Sequence, residues 1–186
     1  MALFYLVRHG EADYSKMLEK GFYGFGRSFA PLSEKGIYQA EMATIDDRLK
    51  SAELIVSSPY TRALQTASII SRETGLKICV EVDLHEWEPD KTNRYTTSEE
   101  AFMLTREFNL HKGEYPEGQQ MRWETLEEVR KRMRKVADKY ANYDKVIFVG
   151  HGMAFRTLTY IEQMKPAEIV EFIYDIGQED CVYSFY

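Results

Sequence analysis

The sequence predicts an α/β fold built on a largely parallel sheet, and three observations predict it. Short apolar runs of strand type, among them Phe4–Val7, Leu54–Val56 and Val146–Val149, alternate with segments of helical periodicity. The runs are apolar at nearly every position, the pattern of strands covered on both faces. Two of them end alike, in Arg8-His9-Gly10 and Gly150-His151-Gly152, so one sheet edge receives two imidazoles. Ligands of open α/β sheets sit outside the carboxyl ends of the strands, where both histidines would stand.

In chain order, residues 2–7 form the first strand. Residues 12–30 break into a loop in which Gly21, Gly24 and Gly26 lie among Phe22, Tyr23, Phe25 and Phe29. These glycines do not fit a dinucleotide fingerprint, and the loop reads as a flap near the site or as a cap on the core. Ser33 is an N-cap for a helix reaching about residue 50, with Ile37, Ala40 and Leu49 on its apolar face. A second strand covers 53–57. The helix over 61–73 carries Ala63, Ala67 and Ile70 on one face and stops at Gly75. A third strand spans 77–82, and the acidic stretch after it, from Leu84 to Asp90, cannot stay regular past Pro89. Across 92–121, Ser98-Glu99-Glu100 starts a helix while Gly113, Pro116 and Gly118 mark loop; an insertion here is expected to shape the substrate pocket. Trp123, Leu126, Val129, Met133, Val136 and Tyr140 recur at helical spacing. A fourth strand ends at His151 and a helix follows through Leu158. Pro166 sits near the start of a last short helix, and residues 181–186 make a final edge strand.

At 186 residues with 44% hydrophobic content, the chain is long enough for one core and is most simply a single domain, 1–186. A net charge of −6 argues against general binding to nucleic acid or anionic membranes. No apolar stretch approaches membrane-spanning length, and the first run meets Arg8 without the pattern of a signal peptide. Cys79 and Cys181 have no Cys or His nearby in sequence, which points to reduced thiols in a cytoplasmic protein. The basic cluster Arg130-Lys131-Arg132 with Arg134-Lys135 reads as a solvated face balanced by Glu124, Glu127 and Glu128, and His85 and His111 read as structural or solvated.

A third strand end joins the two histidines. Leu54–Ser57 passes through Ser58-Pro59 into a helix whose first turn carries Arg62. At this point the chain resembles the histidine phosphatases, a family that includes the cofactor-dependent phosphoglycerate mutases. The resemblance rests on Arg8-His9-Gly10, on Pro31-Leu32-Ser33 with Gly36 and Gln39-Ala40, on Ser57-Ser58-Pro59 followed by Arg62-Ala63 and Gln65-Thr66-Ala67, and on His151-Gly152. It runs from about Arg8 to Arg156. A lone triplet says little; four motifs in order say much.

The resemblance implies a three-layer α/β/α sandwich and phosphoryl transfer through a phosphohistidine, with no metal or other cofactor. His9 would be the nucleophile, since an uncharged imidazole attacks well and can be displaced again by water. Flanking cations keep it unprotonated. Arg8 and Arg62 offer planar forks that match phosphate oxygens two at a time, and a protonated His151 would be the third donor. Glu86, in the Leu84-His85-Glu86 setting that matches the family, would protonate the leaving oxygen, with Glu88 and Asp90 as competitors. The substrate-binding set adds Gly10, where a phosphoryl oxygen could approach the backbone, Ser15 and Gly152. Arg156 reads as a structural partner on its helix.

Mutases and several sugar-phosphate phosphatases of this family resemble one another in having Thr and then Asn shortly after the RHG triplet and a later Gln-Gly pair before the first helix. Here those positions read Ala12, Ser15 and Phe25-Gly26, and the long mutase insertions are missing. A hydrolase of a small phosphorylated substrate is thus favoured over a phosphoglycerate mutase-type phosphotransferase. Glu11-Ala12 looks like the phosphohistidine-protein phosphatases, which Glu86 and the 92–121 insertion count against. A silent phosphate-binding module is the remaining alternative. Aromatics in the 14–29 loop, Trp87 and Tyr95 hint at an apolar leaving group, and an exposed last strand would be one place for a homodimer to form.

Overall fold

A computed structural model describes residues 1–185. Five strands, β1 (Ala2–Arg8), β2 (Leu54–Ser57), β3 (Ile78–Val80), β4 (Lys145–Gly150) and β5 (Ile169–Tyr174), form one sheet in the order β3-β2-β4-β1-β5. β1 lies parallel to β4, from Leu3 opposite Lys145 to Arg8 opposite Gly150. β4 pairs in parallel with β2, and β2 with β3, while β5 runs antiparallel along the other edge of β1.

Alternation along the strands splits the core in two. Phe4 and Leu6 with Val146 and Phe148 face the helices α4 (Ser98–Leu110) and α5 (Leu126–Tyr140), meeting Phe108, Met133 and Val136. Tyr5 and Val7 with Ile147 and Val149 face α3 (Thr61–Thr74) through Ala63, Ala67 and Ile70. Helices therefore cover both faces, which is the expected sandwich and the reason β1, β2 and β4 are apolar at nearly every position. The rings of Phe4 and Phe148 stack at 4.5 Å across the β1–β4 pair.

Helix ends follow local chemistry. Ser33 accepts the N–H of Gly36 at the start of α2 (Glu34–Ala43), and Thr125 and Glu128 form a capping box on α5. Gly75 closes α3 with φ of 73°, in the left-handed region. The helix after Ser33 ends at Ala43 rather than near residue 50. Asp46 takes the N–H of Arg48 and starts a separate 3₁₀ turn, Asp47–Ser51, that still buries Leu49. Trp123 is buried ahead of α5, against the rings of Phe108 and Tyr115.

The C-terminal expectation is corrected. Pro166 opens a turn, not a helix, and the edge strand is β5 rather than residues 181–186; residues 181–185 are irregular, and Tyr186 lies outside the described residues. The second edge of β1 needs hydrogen-bond partners, which 169–174 supply, while Tyr183 and Phe185 pack on Phe108. Three cations of the α5 cluster are ion-paired, Arg132 with Glu124, Arg134 with Asp180 and Lys135 with Asp83, while Arg130 donates to the carbonyl of Cys181. Among the described residues no helix is long and apolar enough to cross a membrane.

Candidate active site

Parallel pairing of β1 and β4 brings His9 and His151 off adjacent strand ends, with ring centroids 5.1 Å apart. β2, on the far side of β4, sends the chain through Ser58 into α3, whose first turn returns Arg62 over both rings.

His9 is 7% exposed. Its Nδ1–H donates to the carbonyl of Gly10 at 2.6 Å, so Nε2 holds the lone pair, and Arg62 Nε donates to it at 3.1 Å. Burial, then the charge of Arg62, press the pKa of His9 down to about 3, with Arg8 adding to the effect and the Gly10 bond opposing it. Near neutral pH this imidazole is uncharged, as its proposed role requires. His151 is fully buried. Arg62 Nη2 donates to its Nδ1 at 3.4 Å, so Nε2 carries the hydrogen and donates to Ser58 Oγ at 2.8 Å. Burial first, then Arg62, hold His151 well below the usual histidine range. Its proposed part as a protonated third donor therefore calls for an anion beside it that offsets Arg62.

Arg8 donates from Nη1 to the carbonyl of Met164, and its Nε is buried with no partner among the described residues. Gly152 lies beside that Nε, at ordinary contact distance for a Cβ. Gly10 is a glycine for a packing reason: a Cβ there would stand 2.3 Å from the carbonyl oxygen of Gly36 in α2, and its N–H already donates to Thr66 Oγ1.

Glu86 is tied to the start of the short helix α6 (Gly152–Phe155). Its Oε1 accepts the N–H groups of Trp87 at 2.9 Å and Ala154 at 3.0 Å, and Oε2 accepts that of Met153 at 3.3 Å. Asp90 is fully committed elsewhere, accepting from Thr92, Arg94, Tyr95 and the Arg122 guanidinium, which removes it from contention as the acid. Glu88 has no hydrogen bond to its carboxylate; burial and then its charge push the Tyr60 hydroxyl up to about 12.

A cavity of about 470 Å³ opens above Arg62 and Glu86. Its roof comes from the 14–28 loop, through Tyr14, Phe25 and Arg27, and from the insertion, through Tyr95, Ala101 and Phe102. His9 lies beneath Arg62 and does not itself line it. Ser15, exposed at the start of α1 (Ser15–Glu19), is not brought to the cavity; Tyr14 is. Trp87 is largely core, with its indole N–H on the carbonyl of Glu124. Arg156 serves structure, donating to the carbonyls of Ile161 and Ser184. Sequence reasoning missed Ser58 as the partner of His151, although Ser57-Ser58-Pro59 was itself one of the motifs.

The sequence profile described as the histidine phosphatase superfamily (branch 1) matches residues 4–178. A Yersinia enterocolitica protein provisionally named phosphoglycerate mutase GpmB is 30% identical over 164 residues, covering 83% of this chain and 71% of that one. A Hydrogenobacter thermophilus protein provisionally named phosphoserine phosphatase 2 is 29% identical over 157 residues, covering 82% and 74%. Among solved structures, Bacillus stearothermophilus YhfR superposes with a TM-score of 0.70 at 22% identity, covering 95% of this chain and 93% of that one. A mycobacterial glucosyl-3-phosphoglycerate phosphatase, in a complex with VO3, superposes with a TM-score of 0.68 at 23% identity over 92% and 90%.

Proposed function

This chain belongs to branch 1 of the histidine phosphatase superfamily, and from that premise we propose that it is a phosphomonoester hydrolase acting on a small phosphorylated metabolite through a phosphohistidine. The observation that carries the reading is the state of His9: an uncharged ring, its Nδ1–H locked on Gly10, its Nε2 lone pair facing a guanidinium.

Nε2 forms a bond to phosphorus while the bond from phosphorus to the leaving oxygen breaks. The Arg62 N–H groups turn from the histidines to the phosphoryl oxygens, and the unpartnered Nε of Arg8 is a further donor. The phosphoryl charge offsets Arg62, so His151 can take a proton and stabilise the transition state. Glu86 gives its proton to the leaving alkoxide, from Oε2, the oxygen with the single, longer hydrogen bond. Water then attacks phosphorus, the bond to Nε2 breaks, Glu86 recovers a proton from that water, and phosphate leaves. The size of the cavity and its roof over Arg62 favour a small leaving group over a protein-borne phosphohistidine. The mutase reading is supported by the relatives named GpmB. Product analysis separates the two, since a mutase returns isomerised phosphoglycerate and a hydrolase returns inorganic phosphate.

The test is acid quenching of turnover on a ³²P-labelled phosphomonoester. Wild type should trap an acid-labile, base-stable phosphoprotein, and folded His9→Ala should trap none and release no phosphate. A substantially active His9→Ala variant refutes the nucleophile, and no trapped species from folded wild type would point to the silent binding module.

A further inference from the structure

The segment that carries Glu86 has little secondary structure of its own to hold it. β3 ends at Val80, and after one 3₁₀ turn, Val82–Leu84, the chain runs irregularly past the cavity. Its restraints come from α5 and from Glu124, just ahead of that helix. Arg132 donates from Nη1 to the carbonyls of Asp83 at 2.8 Å and His85 at 2.7 Å. Its Nε and Nη2 meet the two carboxylate oxygens of Glu124 at 2.6 and 2.9 Å. Glu124 in turn accepts the N–H of Glu88 on Oε2 at 3.3 Å, gives its own N–H to the carbonyl of Glu88 at 2.9 Å, and takes the indole N–H of Trp87 on its carbonyl at 2.7 Å.

The Arg132 and Glu124 side chains are nearly out of water, at 10% and 7% exposure. A buried ion pair adds little net stability over packed apolar side chains, so stability alone does not account for one here. A planar fork that serves two carboxylate oxygens and two carbonyls fixes directions, which the single point charge of a lysine could not do. The residues so held, Asp83, His85, Trp87 and Glu88, bracket Glu86 on both sides. From that frame the Glu86 carboxylate reaches the N–H groups of Met153 and Ala154, in the short helix directly after His151.

We propose that Arg132 and Glu124 are positioning residues for the acid, a buried clamp that holds residues 83–88 so that the Glu86 carboxyl stands at the leaving oxygen. Neither residue lines the cavity, so both act through Glu86 and not on the substrate. This rests on the hydrolase reading above, with Glu86 as its acid. Displacing a reacting group by about 1 Å costs on the order of a hundredfold in rate. Here the loss falls on proton transfer to the leaving oxygen, while phosphoryl binding at Arg62 is untouched.

The test is the ratio of kcat/KM on an alkyl phosphate to kcat/KM on 4-nitrophenyl phosphate, the alkyl ester being the best substrate among glycerol 3-phosphate, 3-phosphoglycerate and ribose 5-phosphate. Nitrophenolate leaves with little proton help, so the ratio reads the acid, and it does not depend on what fraction of a variant is folded. Glu86→Gln should lower the ratio about a hundredfold and sets the scale. Arg132→Gln and Glu124→Gln should each lower it about tenfold or more. Arg132→Lys, which keeps the charge without the fork, should fall between Arg132→Gln and wild type. Val129→Ala, a core change on the same helix, should lower the melting temperature and leave the ratio as in wild type. A ratio unmoved by Arg132→Gln and Glu124→Gln, with Glu86→Gln low, makes the pair merely structural and overturns the proposal while the hydrolase stands. A ratio unmoved by Glu86→Gln removes the acid and the proposal with it. No hydrolysis of nitrophenyl phosphate by wild type brings down the hydrolase reading and the clamp together. If Arg132→Gln yields no folded protein, Glu124→Gln, which keeps an oxygen acceptor, decides.

Discussion

At the strand ends, His9, Arg62 and His151 are each held by at least two hydrogen bonds and are almost wholly buried. Around the cavity above them, Arg27 and Glu88 have no counter-ion among the described residues, and Phe25 and Phe102 are 54% and 67% exposed. The floor is fixed by the sheet's own register, because β1 and β4 cannot pair without setting the histidines side by side. The roof hangs on a loop and an inserted helix that buries Leu104 and Phe108 in the core but leaves Phe102 at the surface. On the proposed reading, bond making falls to groups that the core over-determines, beneath a cavity lined by more exposed groups.

The largest effect that would sharpen this contrast is at the junction of the two regions. Glu86→Gln should slow alkyl phosphates about a hundredfold or more while slowing aryl phosphates much less, because a phenolate needs little proton help. Equal losses on both, or a larger loss from Glu88→Gln, would move the acid into the roof. The next effect belongs to the floor. His9 has a folded pKa of about 3, below its unfolded value, so as pH falls the unfolded chain takes up the proton first. Its contribution to stability is present above about pH 6.5 and drains away from there down to about pH 3. Between pH 7.5 and 5 the loss from His9 is about 2 kcal/mol, and the lowered pKa of His151 adds to it. Urea unfolding of wild type and His9→Gln at both pH values should show a smaller loss in the variant; equal losses would mean that the ring is not buried as an uncharged group. Smallest is a paired stability measurement. Gly10→Ala sets a Cβ against the Gly36 carbonyl and should cost about 1–3 kcal/mol, whereas Phe102→Ala should stay within about 0.5 kcal/mol. A costly Phe102→Ala would erase the distinction between floor and roof.

The same division decided what could be read from the amino-acid order. The three-layer arrangement was legible because strands covered on both faces are apolar at nearly every position, and the two histidines because each stands at the end of such a strand. Ser33, Gly75 and the helix over Leu126–Tyr140 carry local signals that need no knowledge of distant residues. β5 was misplaced because Ile169–Tyr174 is a strand only through its pairing with the open edge of β1, whereas Tyr183 and Phe185 go into ring packing. Gly10 was recognised, but its reason lies at Gly36 in another element. That Asp90 is committed and that Arg27 and Glu88 are not depends on which side chains meet after folding, and no spacing rule reports it. Ser15 was placed by its distance from the triplet, and the chain turns there so that Tyr14 faces the cavity instead.

β1 lies between β4 and β5, so Phe4 meets Val146 on one side and Phe172 on the other. During synthesis the first strand made waits for the last two. Until they emerge, the segment that delivers His9 is an apolar ribbon open along both edges, although α2 and α3 can already coil. Contacts of such long sequence separation slow folding and lengthen the time in which nascent chains can associate. The strand that organises the catalytic floor is therefore also the one that relies most on protection while the chain is incomplete.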